Sequence, residues 1–134
     1  MHIPLSPANI HPPFAPYSHG VVVPEGQKLV FCSGQLGISA DGVVPPDCAG
    51  QTELIFEAIR AILAEAGLGL DHIVRINAYV TGREHLGAYM GVRDRLFGEP
   101  LPASTLIIVS GFARPEFVVE IEVVAAGPAS GGAA

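Results

Sequence analysis

Positive charge is scarce in this sequence of 134 residues, which has seven basic residues against 13 acidic ones. The formal net charge is −6 at pH 7, and the arginines are scattered rather than gathered in a stripe. Basic side chains that neutralise phosphates supply most of the affinity of proteins for nucleic acids. The composition therefore predicts a protein with no nucleic-acid partner.

Long apolar runs, a leader sequence and a set of cysteines are also missing. No stretch approaches the roughly 18 apolar residues of a membrane span, and residues 1–14 have neither the basic nor the apolar region of a signal peptide. The two cysteines, Cys32 and Cys48, do not make a disulfide framework. These absences predict a cytoplasmic protein with no membrane partner.

The common catalytic and cofactor-binding motifs are absent as well. The sequence has no HExxH, no cluster of cysteines and histidines and no GxxxxGK[ST] loop, so neither a metal nor a cofactor is predicted. A GxSxG nucleophile motif is missing too. Any chemistry must depend on side chains that no short motif marks.

Apolar residues are abundant, at 49% of the sequence. A chain of this length is expected to form one domain over residues 1–134. Five prolines within residues 1–16 predict an extended N-terminal arm, and residues 127–134 are expected to form a flexible tail. So much apolar surface on a small domain predicts that partner subunits cover part of it.

Apolar and β-branched segments predict five strands. Residues 17–23 and 28–34 flank the turn sequence PEGQ, which predicts that they form a hairpin. Later strands are expected over residues 72–81, 104–110 and 117–126.

Two segments have the spacing of apolar residues that is typical of helices. The first, residues 51–66, is followed by Gly67, which is expected to end it. The second, residues 83–97, is expected to begin at a Thr81 cap. The order ββαβαββ predicts an α+β fold. Because two helices cover only one face of such a sheet, the other face must meet solvent or another subunit. The last strand carries valines beside Glu120 and Glu122 on that face, which favours another subunit.

The last predicted strand carries two carboxylates. Glu120 and Glu122 are two residues apart, so their side chains leave the strand on one face, roughly 6 to 7 Å apart. Paired carboxylates can perform acid–base chemistry. An exposed strand face or an ion pair at an interface is the more common explanation, and the spacing alone does not decide between them.

Five segments follow one another in the order and spacing of a known family: APYSHGVVV, LVFCSGQLGI, QTELIFEAIRAILAEAGLGLDHIVRINAYVT, LFGEPLPAS and VVEIEVVAA. Over about residues 9–126 the sequence resembles the RidA family, also called YjgF or L-PSP proteins. The resemblance implies a chorismate-mutase-like fold with a mixed sheet, two helices on one face, and a homotrimer with ligand clefts between subunits. Its best-known members hydrolyse 2-imino or enamine acids to 2-keto acids and ammonia without a cofactor.

The resemblance also implies roles for individual residues. Glu120, the first glutamate of VEIE, would orient the attacking water. Tyr17 of PYS would line the cleft together with Ser33 and Gly34 of SGQ. Ile107 lies near the place where the family offers a backbone group to its ligand.

Two positions depart from the family pattern. The active deaminases have the arginine of PAR, whose guanidinium binds the substrate carboxylate, where this chain has Ser104. Met90 stands where they often have asparagine. A hydroxyl and a thioether do not replace these groups, so a less acidic, atypical substrate is expected. Arg114, ten residues after Ser104, is the candidate to replace the missing positive charge.

Two functions of different classes follow. The first is hydrolysis of an imine, an enamine or a related bond by water that Glu120 positions. The alternative is a trimer that binds a small molecule without catalysis and acts in regulation. A third function, endoribonuclease and translation inhibitor, is an old label of the family that the acidic composition disfavours.

Overall fold

A computed structural model describes residues 1–129 of the chain. Along these residues the main elements are β1 (Ile3–Leu5), β2 (Gly20–Val22), β3 (Gln27–Leu36), α1 (Cys48–Ala64), β4 (Ile73–Val80), α2 (Leu86–Leu96), β5 (Ala103–Ile108) and β6 (Val119–Pro128). Short 3₁₀ turns precede β4 and α2, at Leu70–His72 and Arg83–His85.

A four-stranded sheet forms the centre of the protein, in the spatial order β3-β6-β4-β5. β4 and β5 are parallel, whereas β6 is antiparallel to both β3 and β4. Alternate residues of the central strands pack against α1 and α2 in one continuous core, which includes Ile55, Ile59, Leu63, Ile76, Ala78, Tyr89 and Ile121. The prediction of an α+β protein with a mixed sheet and two helices is confirmed.

The predicted hairpin is wrong. β2 pairs with β1 in a separate two-stranded sheet, and β3 pairs with β6 instead. Val30 and Cys32 of β3 lie beside Ala125 and Val123 of β6, which belong to the buried core. The PEGQ sequence determines only a local turn, whereas the burial of a whole strand face selects the partner strand.

The helix ends differ in how well they were predicted. Asp47 caps α1, because its side chain accepts a hydrogen bond from the backbone N–H of Gly50 at 3.2 Å. Gly67 has a φ of +73°, which glycine adopts without strain, and it ends the turn after α1 as predicted. Thr81 caps no helix; its N–H donates to the carbonyl oxygen of Val118, so Thr81 extends the pairing of β4 with β6.

Both ends of the described chain take part in strand pairing. Within the extended N-terminal arm, β1 pairs with β2. β6 continues through Gly127, which is buried, to Pro128, so two residues of the expected tail belong to the sheet. Residues 130–134 of that tail lie outside the described residues. No helix in residues 1–129 is long and apolar enough to cross a membrane.

Candidate functional site

The sheet face that α1 and α2 do not cover carries both apolar and polar side chains; we call it the open face. Phe31 of β3 is 74% exposed there and Leu29 is 51% exposed. Strand alternation places Asn77 and Tyr79 of β4 on this face as well. They pair with Glu122 and Glu120 of β6, whose side chains are on the same face. Large exposed apolar side chains beside carboxylates are unusual on a solvated sheet face, so the open face is suited to contact another subunit.

The two glutamates of β6 are in different environments. The hydroxyl of Tyr79 donates a hydrogen bond to Glu122 Oε1 at 2.9 Å, and Asn77 Nδ2 donates to the same oxygen at 3.3 Å. The hydrogen bond to this carboxylate raises the pKa of Tyr79, and burial adds to the shift. Glu120 has no comparable side-chain partner within residues 1–129. Of the two carboxylates, Glu120 is therefore the one available to a ligand or a water molecule.

Ser33 and Gly34 lie at an irregularity of β3, where the pairing with β6 shifts between Cys32 and Gln35. The shift brings the bare backbone of Gly34 against Glu120: a Cβ on this glycine would lie 2.9 Å from Glu120 Cδ. One group on the open face therefore consists of three site residues that the family resemblance implies: Ser33, Gly34 and Glu120.

A second group surrounds a pocket of about 290 Å³ between α2, the start of β5 and the N-terminal segment; we call it the α2–β5 pocket. Its lining residues are Phe14, Ala15, Tyr17, Met90, Arg93, Ser104 and Leu106. The N-terminal segment is held against the chain before β5, because the Ser18 hydroxyl donates to the Leu101 carbonyl oxygen at 2.7 Å. Three residues that the resemblance implies, Tyr17, Met90 and Ser104, thus share one pocket.

The two groups lie on opposite faces of the sheet. Ser104 is beside Ile76, whose side chain is completely buried on the helix side. Glu120 is beside Tyr79, on the open face. β4 also separates β6 from β5. A single chain therefore does not bring Glu120 and the α2–β5 pocket together.

Two further residues named from the sequence lie elsewhere. Arg114 is in the loop before β6, where its Nε is 3.5 Å from Glu116 Oε2 and its guanidinium carbon is 4.7 Å from the centre of the Phe117 ring. Ile107 pairs with Tyr79, which puts its side chain on the open face, while its neighbour Leu106 lines the α2–β5 pocket.

Sequence reasoning missed the polar groups that α2 contributes to this pocket. Arg93 lines the pocket and its side chain is only 4% exposed. Tyr89, one turn earlier, is completely buried, and its hydroxyl has no hydrogen-bond partner of good geometry in the described chain. Burial raises the pKa of Tyr89 to about 12, although nearby Arg93 and Ser104 oppose the shift. An arginine on the apolar face of α2 was the available indication.

Metal ligands do not converge anywhere in the part of the chain that the structure describes. No group of three or more histidine, cysteine, aspartate or glutamate side chains there is arranged to hold a metal ion.

Comparison of the sequence with known proteins identifies relatives over nearly all of the chain. The sequence model of the family described as Endoribonuclease L-PSP matches residues 8–127. The RutC family protein YjgH of Escherichia coli is 33% identical over 117 residues, which cover 86% of this chain and 88% of that protein. The RutC family protein UK114 of Drosophila melanogaster is 30% identical over 123 residues, covering 90% and 86%.

Solved structures show the same fold. The Rid family protein YyfB of Yersinia pestis, described as of unknown function, has a TM-score of 0.80 and 26% identity, covering 92% of this chain and 97% of that one. RidA from the Antarctic bacterium Psychrobacter sp. has a TM-score of 0.69 and 30% identity, covering 84% and 89%. The chain therefore belongs to the RidA/YjgF/L-PSP family.

Proposed function

We propose that this protein hydrolyses the C=N bond of a small imine, or of an enamine in its imine form, in a cleft between subunits. The observation that carries the proposal is the environment of the Glu120 side chain. This carboxylate faces the open side of the sheet, lies against the bare backbone of Gly34 and has no side-chain partner in residues 1–129. A carboxylate in this state can accept a proton from a water molecule.

The reaction needs a positioned water and no redox step. The oxygen of water bonds to the imine carbon while Glu120 takes up one of the water's protons. That proton passes to the nitrogen to give a carbinolamine; the hydroxyl proton of the carbinolamine is then transferred through Glu120 to the nitrogen as the carbon–nitrogen bond breaks, and a ketone and ammonia leave. Membership of the RidA/YjgF/L-PSP family supports a small-molecule-binding or deaminase-like role in general.

A homotrimer of chorismate-mutase-like architecture is part of the proposal. Its support is the separation of the two groups, since only a second chain can place an α2–β5 pocket against Glu120. The exposed Phe31 and Leu29 on the open face supply apolar surface for such a contact. The complete site would then combine Glu120, Ser33 and Gly34 of one chain with Tyr17, Met90 and Ser104 of the next.

The substrate is expected to differ from that of relatives with the PAR arginine. Ser104 places a short neutral hydroxyl where a guanidinium would extend from β5. Met90 and Leu106 make the neighbouring wall apolar. The α2–β5 pocket therefore provides no cation from β5 itself.

Ligand binding without catalysis is the second candidate. The observation that favours it is the same apolar wall beside Ser104, because a pocket that lacks the family's anchor can hold a ligand without aligning it for attack. Ribonuclease activity is disfavoured by the net charge of −6.

The test compares two isosteric variants in an imine-hydrolysis assay. An amino-acid oxidase generates 2-iminobutyrate and an amine oxidase generates an uncharged imine; semicarbazide traps whatever imine remains. Glu120→Gln is expected to lower turnover by about 10²- to 10⁴-fold, the usual contribution of a general base. Glu122→Gln is the matched control and is expected to retain most of the activity, because Tyr79 and Asn77 already occupy that carboxylate.

Two outcomes would reject catalysis. One is the absence of turnover by the unmodified protein with both imines, which would leave ligand binding as the function. The other is equal turnover by the unmodified protein and the Glu120→Gln variant, with both shown to be folded by thermal melting.

A further inference from the structure

Arg93 is a buried cation whose hydrogen bonds within residues 1–129 are incomplete. Its Nε donates a hydrogen bond to Asp94 Oδ1 at 3.0 Å. Its Nη2 lies 2.9 Å from the same oxygen, but within residues 1–129 it makes no hydrogen bond of good geometry. A buried guanidinium with an unused donor is costly, and native proteins rarely retain one without a partner.

The carboxylate that neutralises the charge of Arg93 is partly exposed to solvent. Asp94, the next residue of α2, has a side chain that is 38% exposed, so water screens its charge. Arg93 itself is buried, with its guanidinium carbon 5.5 Å from the centre of the Tyr89 ring, and its side chain lines the α2–β5 pocket.

Hydroxyl groups lie in or beside the same pocket. Burial raises the pKa of the Tyr89 hydroxyl and Arg93 and Ser104 oppose that shift, which places the hydroxyl near both side chains, and Ser104 offers a rotatable hydroxyl to the pocket. Tyr17 presents a third hydroxyl, which accepts a hydrogen bond from the backbone N–H of Phe14 at 3.4 Å. Among the described residues that line this pocket, only Arg93 is charged, so the pocket carries the positive charge that binds an anion.

We propose that Arg93 anchors the anionic group of the ligand in the α2–β5 pocket, so that the ligand carries a carboxylate bound from α2 instead of from β5. The inference rests on the proposed function for its assumption that this pocket is the ligand site. It corrects the expectation drawn from Ser104 alone, because the cation has not been lost but is supplied by a different element. A ligand held from α2 is displaced or extended relative to one held from β5.

The experiment measures binding, not turnover, with two small ketones that differ in charge. 2-Ketobutyrate carries a carboxylate, and 2-butanone has a methyl group in its place. Chemical-shift titrations are recorded for the unmodified protein, for Arg93→Met and for Arg95→Met. Arg95 is the matched control because it lies on the same helix but pairs with Glu53 on the surface.

Arg93→Met is expected to weaken 2-ketobutyrate binding by about 30-fold or more, the usual effect of removing one partner of a buried charge pair. Binding of 2-butanone should change little, and Arg95→Met should bind both ketones as the unmodified protein does. In the double variant Arg93→Met/Ser104→Arg, a guanidinium extending from β5 should recover part of the lost affinity.

The proposal is overturned if the Arg93→Met variant binds 2-ketobutyrate as well as the unmodified protein does, or if the unmodified protein binds the two ketones equally or not at all. Arg93→Gln, which keeps a polar side chain without charge, replaces the methionine variant if that one does not fold. Binding that depends on Arg93, without turnover of any imine, would support this anchor and reject the proposed hydrolysis. Equal turnover of 2-iminobutyrate by the unmodified protein and by the Arg93→Met variant would support the proposed hydrolysis and reject this anchor.

Discussion

Gly34 lies so close to Glu120 that an added Cβ would be 2.9 Å from the Cδ atom of the glutamate and 3.2 Å from its Oε1. Real Cβ atoms do not approach other heavy atoms so closely, so the position of this carboxylate depends on the absence of a side chain at residue 34. The glycine of the SGQ segment thus has a role in placing the candidate general base.

Gly34→Ala is expected to displace Glu120 and to lower imine turnover toward the level of the Glu120→Gln variant. The melting temperature should change little, because a flexible side chain can swing away from the new methyl group. Gly111→Ala is the control, since a Cβ there meets open space. Full activity in the Gly34→Ala variant would show that catalysis does not need this position of Glu120.

The open face supplies a test of assembly. Phe31 is its most exposed apolar side chain, and Phe31→Glu would put a charge in the proposed contact. Sedimentation should give about three times 13.9 kDa for the unmodified protein and a single chain for this variant.

Val43→Glu is the matched control for assembly. Val43 is also exposed, at 60%, but it lies in the loop before α1 and not on the sheet. This variant should assemble like the unmodified protein. A folded Phe31→Glu protein that remains trimeric would exclude the open face from the interface.

Gln51 joins the start of α1 to two loops. Its Nε2 donates to the carbonyl oxygens of Pro45 and Glu116, at 2.9 and 2.8 Å, and its Oε1 accepts from the N–H of Val118 at 3.0 Å. Gln51→Leu leaves three backbone groups without this partner and is expected to lower the free energy of unfolding by about 2 to 4 kcal/mol, as measured by urea denaturation.

Gln27 provides the comparison for that substitution. Its buried Oε1 has no hydrogen-bond partner among residues 1–129, so Gln27→Leu breaks no hydrogen bond through that atom. We expect a change below about 1 kcal/mol for this variant. Equal losses for the two variants would show that polarity at residue 51 contributes nothing specific.

Tyr89 is expected to make stability depend on alkaline pH. Burial raises its pKa to about 12, from 10.0, so the folded protein binds the phenolic proton more tightly than the unfolded chain does. The resulting stability is fully present below pH 10 and is lost as the pH rises toward 12, by roughly 2 to 3 kcal/mol in all.

Urea denaturation between pH 9 and 11.5 checks this expectation. Cys32, Cys48 and Tyr79 also have raised pKa values, and they add losses of the same sign. Tyr89→Phe should therefore flatten the pH dependence without abolishing it. A variant whose stability falls as steeply as that of the unmodified protein would contradict the assignment to Tyr89.

Elements whose patterns are local were predicted well from the sequence. The buried side of α1 follows the 3.6-residue period, and Ile55, Ile59 and Leu63 are completely buried. Strand pairing was less predictable, because the choice of β6 as the partner of β3 depends on contacts about 90 residues apart in the chain. The prediction of a Thr81 cap was wrong because of a contact that is also distant in sequence: the N–H of Thr81 donates to the carbonyl oxygen of Val118.

The candidate site was predictable in its residues but not in their environments. Glu120 and Glu122 are the same residue type on the same strand face, and only their neighbours, Tyr79 and Gly34, distinguish them. The 3.6-residue period places Arg93 on the same face of α2 as Leu86 and Tyr89, but it does not reveal that the side chain lines a pocket beside Ser104.

The separation of Glu120 from the α2–β5 pocket has a consequence for mixed assemblies. A chain with Glu120→Gln keeps an intact pocket, and a chain with Arg93→Met keeps an intact carboxylate group. When the two impaired proteins are unfolded together and allowed to reassemble, some interfaces combine the intact pocket of one chain with the intact carboxylate group of the other, and those clefts are complete. Activity toward 2-iminobutyrate should then rise by complementation between two defective chains, which an enzyme with its whole site inside one chain does not show.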